Sequence, residues 1–162
     1  MSDESRGQSA TLLEKRRIEA AMLAEVYAVL IDRFDRKTAL GIIEETVTRA
    51  AYAAGRAFAA AAPQGPCLAH FATVTALWQA GGALAIEKTR QEPDALAFDV
   101  TRCRYAESYR EMGLAEELAT RVSCLRDGAF AAGYSPKLQL HRPETIASGA
   151  IRCPFTFTWN DA

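Results

Sequence analysis

Ala83-Leu84-Ala85-Ile86-Glu87-Lys88-Thr89 and Leu96-Ala97-Phe98-Asp99-Val100-Thr101 both alternate apolar and polar residues, and Gln91-Glu92-Pro93-Asp94 lies between them. A period of two sends successive side chains to opposite faces of a strand, and proline and aspartate favour a turn. The stretch therefore predicts a β-hairpin. Lys137 to His141 and Arg152 to Trp159 alternate in the same way, so they predict a second hairpin that completes an antiparallel sheet. Upstream the period is helical. Leu23, Val26, Tyr27, Leu30, Ile31 and Phe34 recur every three or four residues as one apolar stripe. Asp35 is placed to cap a second helix that runs through Ile42, Ile43, Thr46 and Val47 into Ala60, and Pro63-Gln64-Gly65-Pro66 stops it. A third helix covers about Leu68 to Gln79 and ends at Gly81-Gly82. Helices over about Arg104 to Met112 and Ala115 to Ala132, broken at Gly113, separate the hairpins. The expected class is α+β: N-terminal helices packed with a small antiparallel sheet made of two hairpins, with short helices between them. Residues 1–10 read as a disordered tail and residues 11–162 as a single domain.

The totals narrow the function. Among 162 residues, 49% are hydrophobic and 24% charged, and 19 basic against 20 acidic side chains leave a net charge of -1. That balance gives no electrostatic footprint for nucleic acid. No apolar run reaches the ~20 residues that span a bilayer. Met1 to Gln8 is polar and has no apolar segment behind it, so no signal peptide is read. With four cysteines and no signal, a cytoplasmic protein with reduced thiols is expected. The alanine-rich second half of the second helix, Ala50 to Ala60, lets a neighbour approach closely. It is read either as a homo-oligomer interface or as intramolecular packing.

The last third of the chain carries the chemistry. Cys103 leaves a predicted strand where a helix begins, a position whose dipole favours thiolate, and Glu107 follows one turn on. Cys124 and Asp127 share a helical face by the same spacing. Each cysteine could equally serve as a small buried hydrophobe. An interior carboxylate beside a thiol is costly unless paired or used. Cys103, Cys124, Asp127 and Cys153 could together surround zinc, but no C-x-x-C clip is present, so no cofactor is expected. His70 reads as a satisfied core or rim histidine, and His141 ends a predicted strand. Arg142, in the turn between the last two strands, could hold a carboxylate or be a solvated loop charge.

Taken together, several stretches resemble the L-2-amino-thiazoline-4-carboxylic acid hydrolase family. They are Phe98-Asp99-Val100-Thr101-Arg102-Cys103-Arg104-Tyr105-Ala106-Glu107; Ser123-Cys124-Leu125-Arg126-Asp127 with Gly133 and Pro136; Leu140-His141-Arg142-Pro143-Glu144-Thr145-Ile146; and Gly149 with Cys153-Pro154-Phe155. The likeness runs from about Trp78 to Phe157. More distantly, the final hairpin resembles the ligand-binding domains of the vinyl-reductase and vesicle-tethering superfamily. Two positions depart from the family pattern: Pro143 stands where a threonine is usual, and Pro154 where an aspartate is usual. The resemblance implies hydrolytic opening of a small cyclic amidine-like ring at the carbon bonded to nitrogen and sulfur. On that reading Cys124 is the candidate nucleophile and Asp127 the base. Cys103 and Glu107 line the other wall, with Glu107 as acid. Arg142 holds the substrate carboxylate, and Thr145, Tyr105 and Cys153 complete the binding set. The alternative is a non-catalytic small-ligand-binding module of the same fold.

Overall fold

The structure, a computed structural model, describes residues 9–161. Most of the expected 1–10 tail thus lies outside the described residues; Ser9 and Ala10 are exposed and lead into the first helix. Helix α1 (Leu12–Ile31) starts where Thr11 and Glu14 cap each other. The Glu14 N–H donates to Thr11 Oγ1 at 3.2 Å, and the Thr11 N–H donates to the Glu14 carboxylate at 2.7 Å. Helix α2 (Arg36–Ala60) is capped by Asp35, whose carboxylate accepts from the Thr38 N–H at 3.0 Å. The third expected helix is two, α3 (Leu68–Ala72) and α4 (Val74–Gln79), because the chain tightens at Thr73. Gly81 and Gly82 adopt positive φ, +67° and +71°, and turn the chain into the sheet.

Strands β1 (Leu84–Gln91) and β2 (Ala95–Cys103) form the first hairpin, and β3 (Leu138–His141) and β4 (Cys153–Trp159) form the second. The sheet is antiparallel throughout, in the order β1-β2-β4-β3. Pairing β2 with β4 sets Phe98 opposite Phe155 and Val100 opposite Cys153. One face of this central pair, Leu96, Phe98 and Val100 with Cys153, Phe155 and Phe157, is buried under the helices. The other face carries Asp99, which pairs with Arg152 at 2.7 Å.

Between the hairpins run α5 (Arg104–Glu111), α6 (Glu116–Val122) and α7 (Leu125–Tyr134). The single helix expected over 115–132 is interrupted at Ser123, whose φ of -122° and ψ of -70° leave the helical region. The alanine-rich half of α2 lies against α7 of the same chain. A Cβ on Gly55 would stand 2.1 Å from the Phe130 carbonyl oxygen, and one on Gly133 would stand 2.1 Å from that of Tyr52. The two helices therefore touch backbone to backbone. The apolar stripe of α1 is only partly used. Leu23, Tyr27 and Leu30 pack inward, against a cluster built with α2, α5 and α6, while Val26, Ile31 and Phe34 are exposed.

Buried side chains form two clusters, one on the sheet with α3, α4 and α7, the other among α1, α2, α5 and α6. Leu84 and Cys103 pack against both. Among the described residues no helix is long and apolar enough to cross a membrane, and all four cysteines are free.

Candidate functional site

Where the two clusters meet they leave a cavity of about 500 Å³. Residues of β2 and β4 line it, together with residues of α1, α2, α4 and α7. Phe58, Trp78, Phe130 and Phe155 supply aromatic walls, and Leu77, which is exposed, stands among the lining residues. Of the residues singled out from the sequence, Cys103, Tyr105, Cys124, Asp127, Arg142 and Cys153 all line this space. Four separate stretches of backbone bring them there.

Asp127 and Arg142 form the polar centre. The Arg142 Nη1 donates to Asp127 Oδ2, its Nη2 donates to the Cys124 carbonyl oxygen at 2.7 Å, and its guanidinium lies 4.9 Å from the centroid of the Phe155 ring. Arg142 is thus engaged on three sides, and only its Nε is buried without a partner among the described residues. Burial pushes the Asp127 carboxyl above its ordinary range, and the neighbouring Arg142 charge pulls the other way. A carboxylate so placed is a stronger base than one in water.

The thiols depart from the sequence expectation. Cys103 caps α5, with Sγ accepting from the Ala106 N–H at 3.5 Å, yet burial outweighs that hydrogen bond and drives its pKa up to about 11. Burial also drives Cys124 up to about 12, the Asp127 charge adding to it. Cys153 Sγ accepts from the Ile146 N–H at 3.1 Å and is likewise raised by burial. Burial thus favours the thiol form at all three and works against the helix-activated thiolate expected at Cys103. Tyr105 is raised to about 12 by burial, and its hydroxyl donates to the Trp78 carbonyl at 3.4 Å.

Two expected site residues lie elsewhere. Glu107 does not line the cavity; it pairs on the surface with Arg102 at 2.8 Å, which holds its carboxyl below the usual range. The reason is that Cys103 is the extended residue ahead of α5 (φ -129°, ψ 102°), so the one-turn spacing does not put it on Glu107's face. Cys124 already has helical dihedrals (φ -62°, ψ -31°), and there the spacing holds. Thr145 is spent on local structure: its hydroxyl accepts from the Ser148 N–H at 3.2 Å and caps the 3₁₀ turn Ile146–Ser148. The histidines stay outside the lining. His70 stacks on Phe58 at 4.6 Å and its Nδ1 meets the Tyr134 hydroxyl at 2.9 Å. Sequence reading missed Arg16 and Arg126, which do line the cavity. Arg126 sits beside Asp127 in the Cys124–Asp127 stretch, but nothing in the spacing of Arg16, on α1, could have flagged it. Among the described residues no group of three or more His, Cys, Asp or Glu stands close enough to hold a metal ion.

The family model of the L-2-amino-thiazoline-4-carboxylic acid hydrolases matches residues 15–157. The chain belongs to this family. The match extends the likeness through the helical N-terminal half, which contributes Arg16 and the α2 wall to the cavity. No curated protein sequence matches the chain. Among solved structures, the phenol-responsive sensory domain of the transcription activator PoxR, determined with phenol, shares the fold. The TM-score is 0.53 at 12% identity, covering 94% of this chain and 78% of that one. The two departures from the hydrolase pattern fall outside the cavity. Pro143 is exposed, and Pro154 alternates with the inward-facing Cys153 and Phe155 and so points to the opposite face of the sheet. Strand β3 pairs only with residues 156–159, so β4 has one neighbour at Pro154, where a proline is tolerated.

Proposed function

We propose that this member of the hydrolase family opens a small cyclic amidine carboxylate of the thiazoline type by adding water to the ring carbon bonded to nitrogen and sulfur. The observation that carries this reading is a base-and-arginine pair, Asp127 with Arg142, facing a space of about 500 Å³ walled by aromatic rings and uncharged thiols. A five-membered ring with one carboxylate fits such a volume.

Asp127 takes a proton from water as the new C–O bond forms, and passes it to the ring nitrogen. When the tetrahedral carbon collapses, the C–S bond breaks, and Asp127 carries the hydroxyl proton to the departing sulfur. One water is consumed, and the product is an N-carbamoyl amino acid bearing a free thiol. Raised basicity suits Asp127 to both transfers, and Arg142 fixes its position. Sequence alone makes Cys124 the candidate nucleophile, but a thiol held up to about 12 attacks poorly. The attack is therefore assigned to water, and Cys103, Cys124 and Cys153 form a neutral wall around the ring sulfur. The test is turnover of 2-amino-thiazoline-4-carboxylate, followed by the thiol released. Asp127→Asn is expected to lose at least about 100-fold, and Cys124→Ser to stay within about tenfold of wild type. Full turnover in Asp127→Asn would end the proposal.

A second reading, a ligand-binding module without turnover, is favoured by the apolar walls of the cavity and by the fold shared with a phenol-responsive domain. It predicts that a neutral aromatic compound binds by calorimetry and that no thiol is ever released.

A further inference from the structure

We infer that Arg16 of α1 and Arg126 of α7, bridged through Glu19, form an anion-recognition subsite in the cavity wall that selects ligands carrying a carboxylate. The subsite rests on the proposed reading only in taking the ligand to be a small ring acid. Arg142 has Nη1 on Asp127, Nη2 on the Cys124 carbonyl and its guanidinium against the Phe155 ring, which leaves Nε as its single free donor where a carboxylate can take two. Arg16 and Arg126 are differently placed. Arg16 Nη1 donates to both Glu19 oxygens at 2.8 and 2.7 Å, and Arg126 Nη2 donates to Glu19 Oε2 at 2.8 Å. Arg126 Nε donates to the Val122 carbonyl at 2.8 Å. Among the described residues, Nε and Nη2 of Arg16 and Nη1 of Arg126 have no hydrogen-bond partner.

The charges around the cavity do not cancel. Arg16, Arg126 and Arg142 line it against a single lining carboxylate, Asp127, with the thiols neutral; Glu19 stands outside the lining and offsets one of the two remaining positive charges. Arg16 and Arg126 share the one Glu19 carboxylate, so a net positive charge remains at the cavity wall, and that charge favours an incoming anion. The strain registers on Arg126, whose pKa is lowered first by burial and then by the Arg16 charge. A ligand carboxylate reaching the free nitrogens would offset the repulsion between the two guanidiniums. The pair hydrogen-bonds to Glu19 and not to Asp127, so it would hold the acid end of the ring while Asp127 keeps Arg142 as its hydrogen-bonded partner.

The test uses the full chain and two aromatic probes that do not undergo the ring opening, thiazole-4-carboxylate and thiazole-4-carboxamide, titrated by calorimetry. Wild type is expected to bind the carboxylate at least about tenfold more tightly than the carboxamide. Arg16→Met and Arg126→Met should each remove most of that preference while leaving carboxamide affinity in place, and Arg16→Lys should keep part of it. Arg16 is partly exposed on its helix, with 22% of its side-chain surface accessible, so its variants test the subsite even where Arg126→Met fails to fold. Equal affinity for the two probes in wild type, binding of neither, or a preference that survives both substitutions would overturn the inference. Hydrolysis is read separately. A protein that prefers the carboxylate yet never releases a thiol keeps this subsite and loses the proposed reaction; turnover without the preference removes the subsite alone.

Discussion

Asp127 and Arg142 are the residues on which the site turns, because each partner of this partly buried ion pair depends on the other. The Arg142 side chain is only 11% exposed. Replacing it with methionine leaves the carboxylate without its counter-charge, and unfolding by denaturant should show a loss of about 3–5 kcal/mol. Adding Asp127→Asn to that variant should recover part of the loss; a double variant as unstable as the single would mean the pair is not the cause. The thiols give a pH signature. From an ordinary value of 9.0, Cys103 is raised to about 11 and Cys124 to about 12. An acid whose folded pKa is raised keeps a proton that the unfolded chain releases, so stability is unaffected below about pH 8.5 and falls as pH climbs from there toward 11–12. Alkylation read by mass spectrometry should accordingly mark exposed Cys67 at pH 7.5 and reach Cys103 and Cys124 only above about pH 10. Rapid labelling of Cys124 at pH 7.5 would restore it as a nucleophile.

At the scale of elements, the crossing of α2 and α7 decides where the chemistry stands, since α7 carries Asp127 and α2 carries apolar residues of the same cavity lining. Gly55 and Gly133 permit that crossing. An alanine at either position must push the backbones apart, so each should lower stability by about 1–3 kcal/mol and disturb ligand binding as well. Gly128 is the internal control. It lies on α7, and a Cβ there would meet nothing within 4 Å, so Gly128→Ala should be neutral or stabilising by up to about 1 kcal/mol. If Gly55→Ala melted like wild type while ligand binding was unchanged, the close approach would carry no weight. Both hairpins were legible as alternation, and the cap at Asp35 as a residue type at a helix start; the capping role of Cys103 was not, because cysteine is not among the residues that favour that position. The break at Ser123 was not legible, because the apolar period continues through it; only the turn of the chain toward the cavity reveals it.

For the whole molecule, the cavity lies on the seam between two buried clusters that share Leu84 and Cys103. A ligand there touches both, so saturating carboxylate should raise the melting temperature by mass action, worth about 2.7 kcal/mol at a hundredfold excess over Kd. Hydrogen exchange should slow in α1 and α4 together; protection confined to one of them would place the ligand outside the seam. Periodicity, turn chemistry and capping determined the α+β class and the two hairpins, because these depend on neighbours a few residues apart. The shared face of Cys124 and Asp127 followed from short-range spacing, and Arg142 entered the candidate site through the family resemblance. The protonation of the thiols, the removal of Glu107 and Thr145 from the site and the arrival of Arg16 were decided only by the tertiary structure. Burial, pairing and charge around a cavity arise from segments distant along the chain, and no local pattern encodes the dehydration they impose.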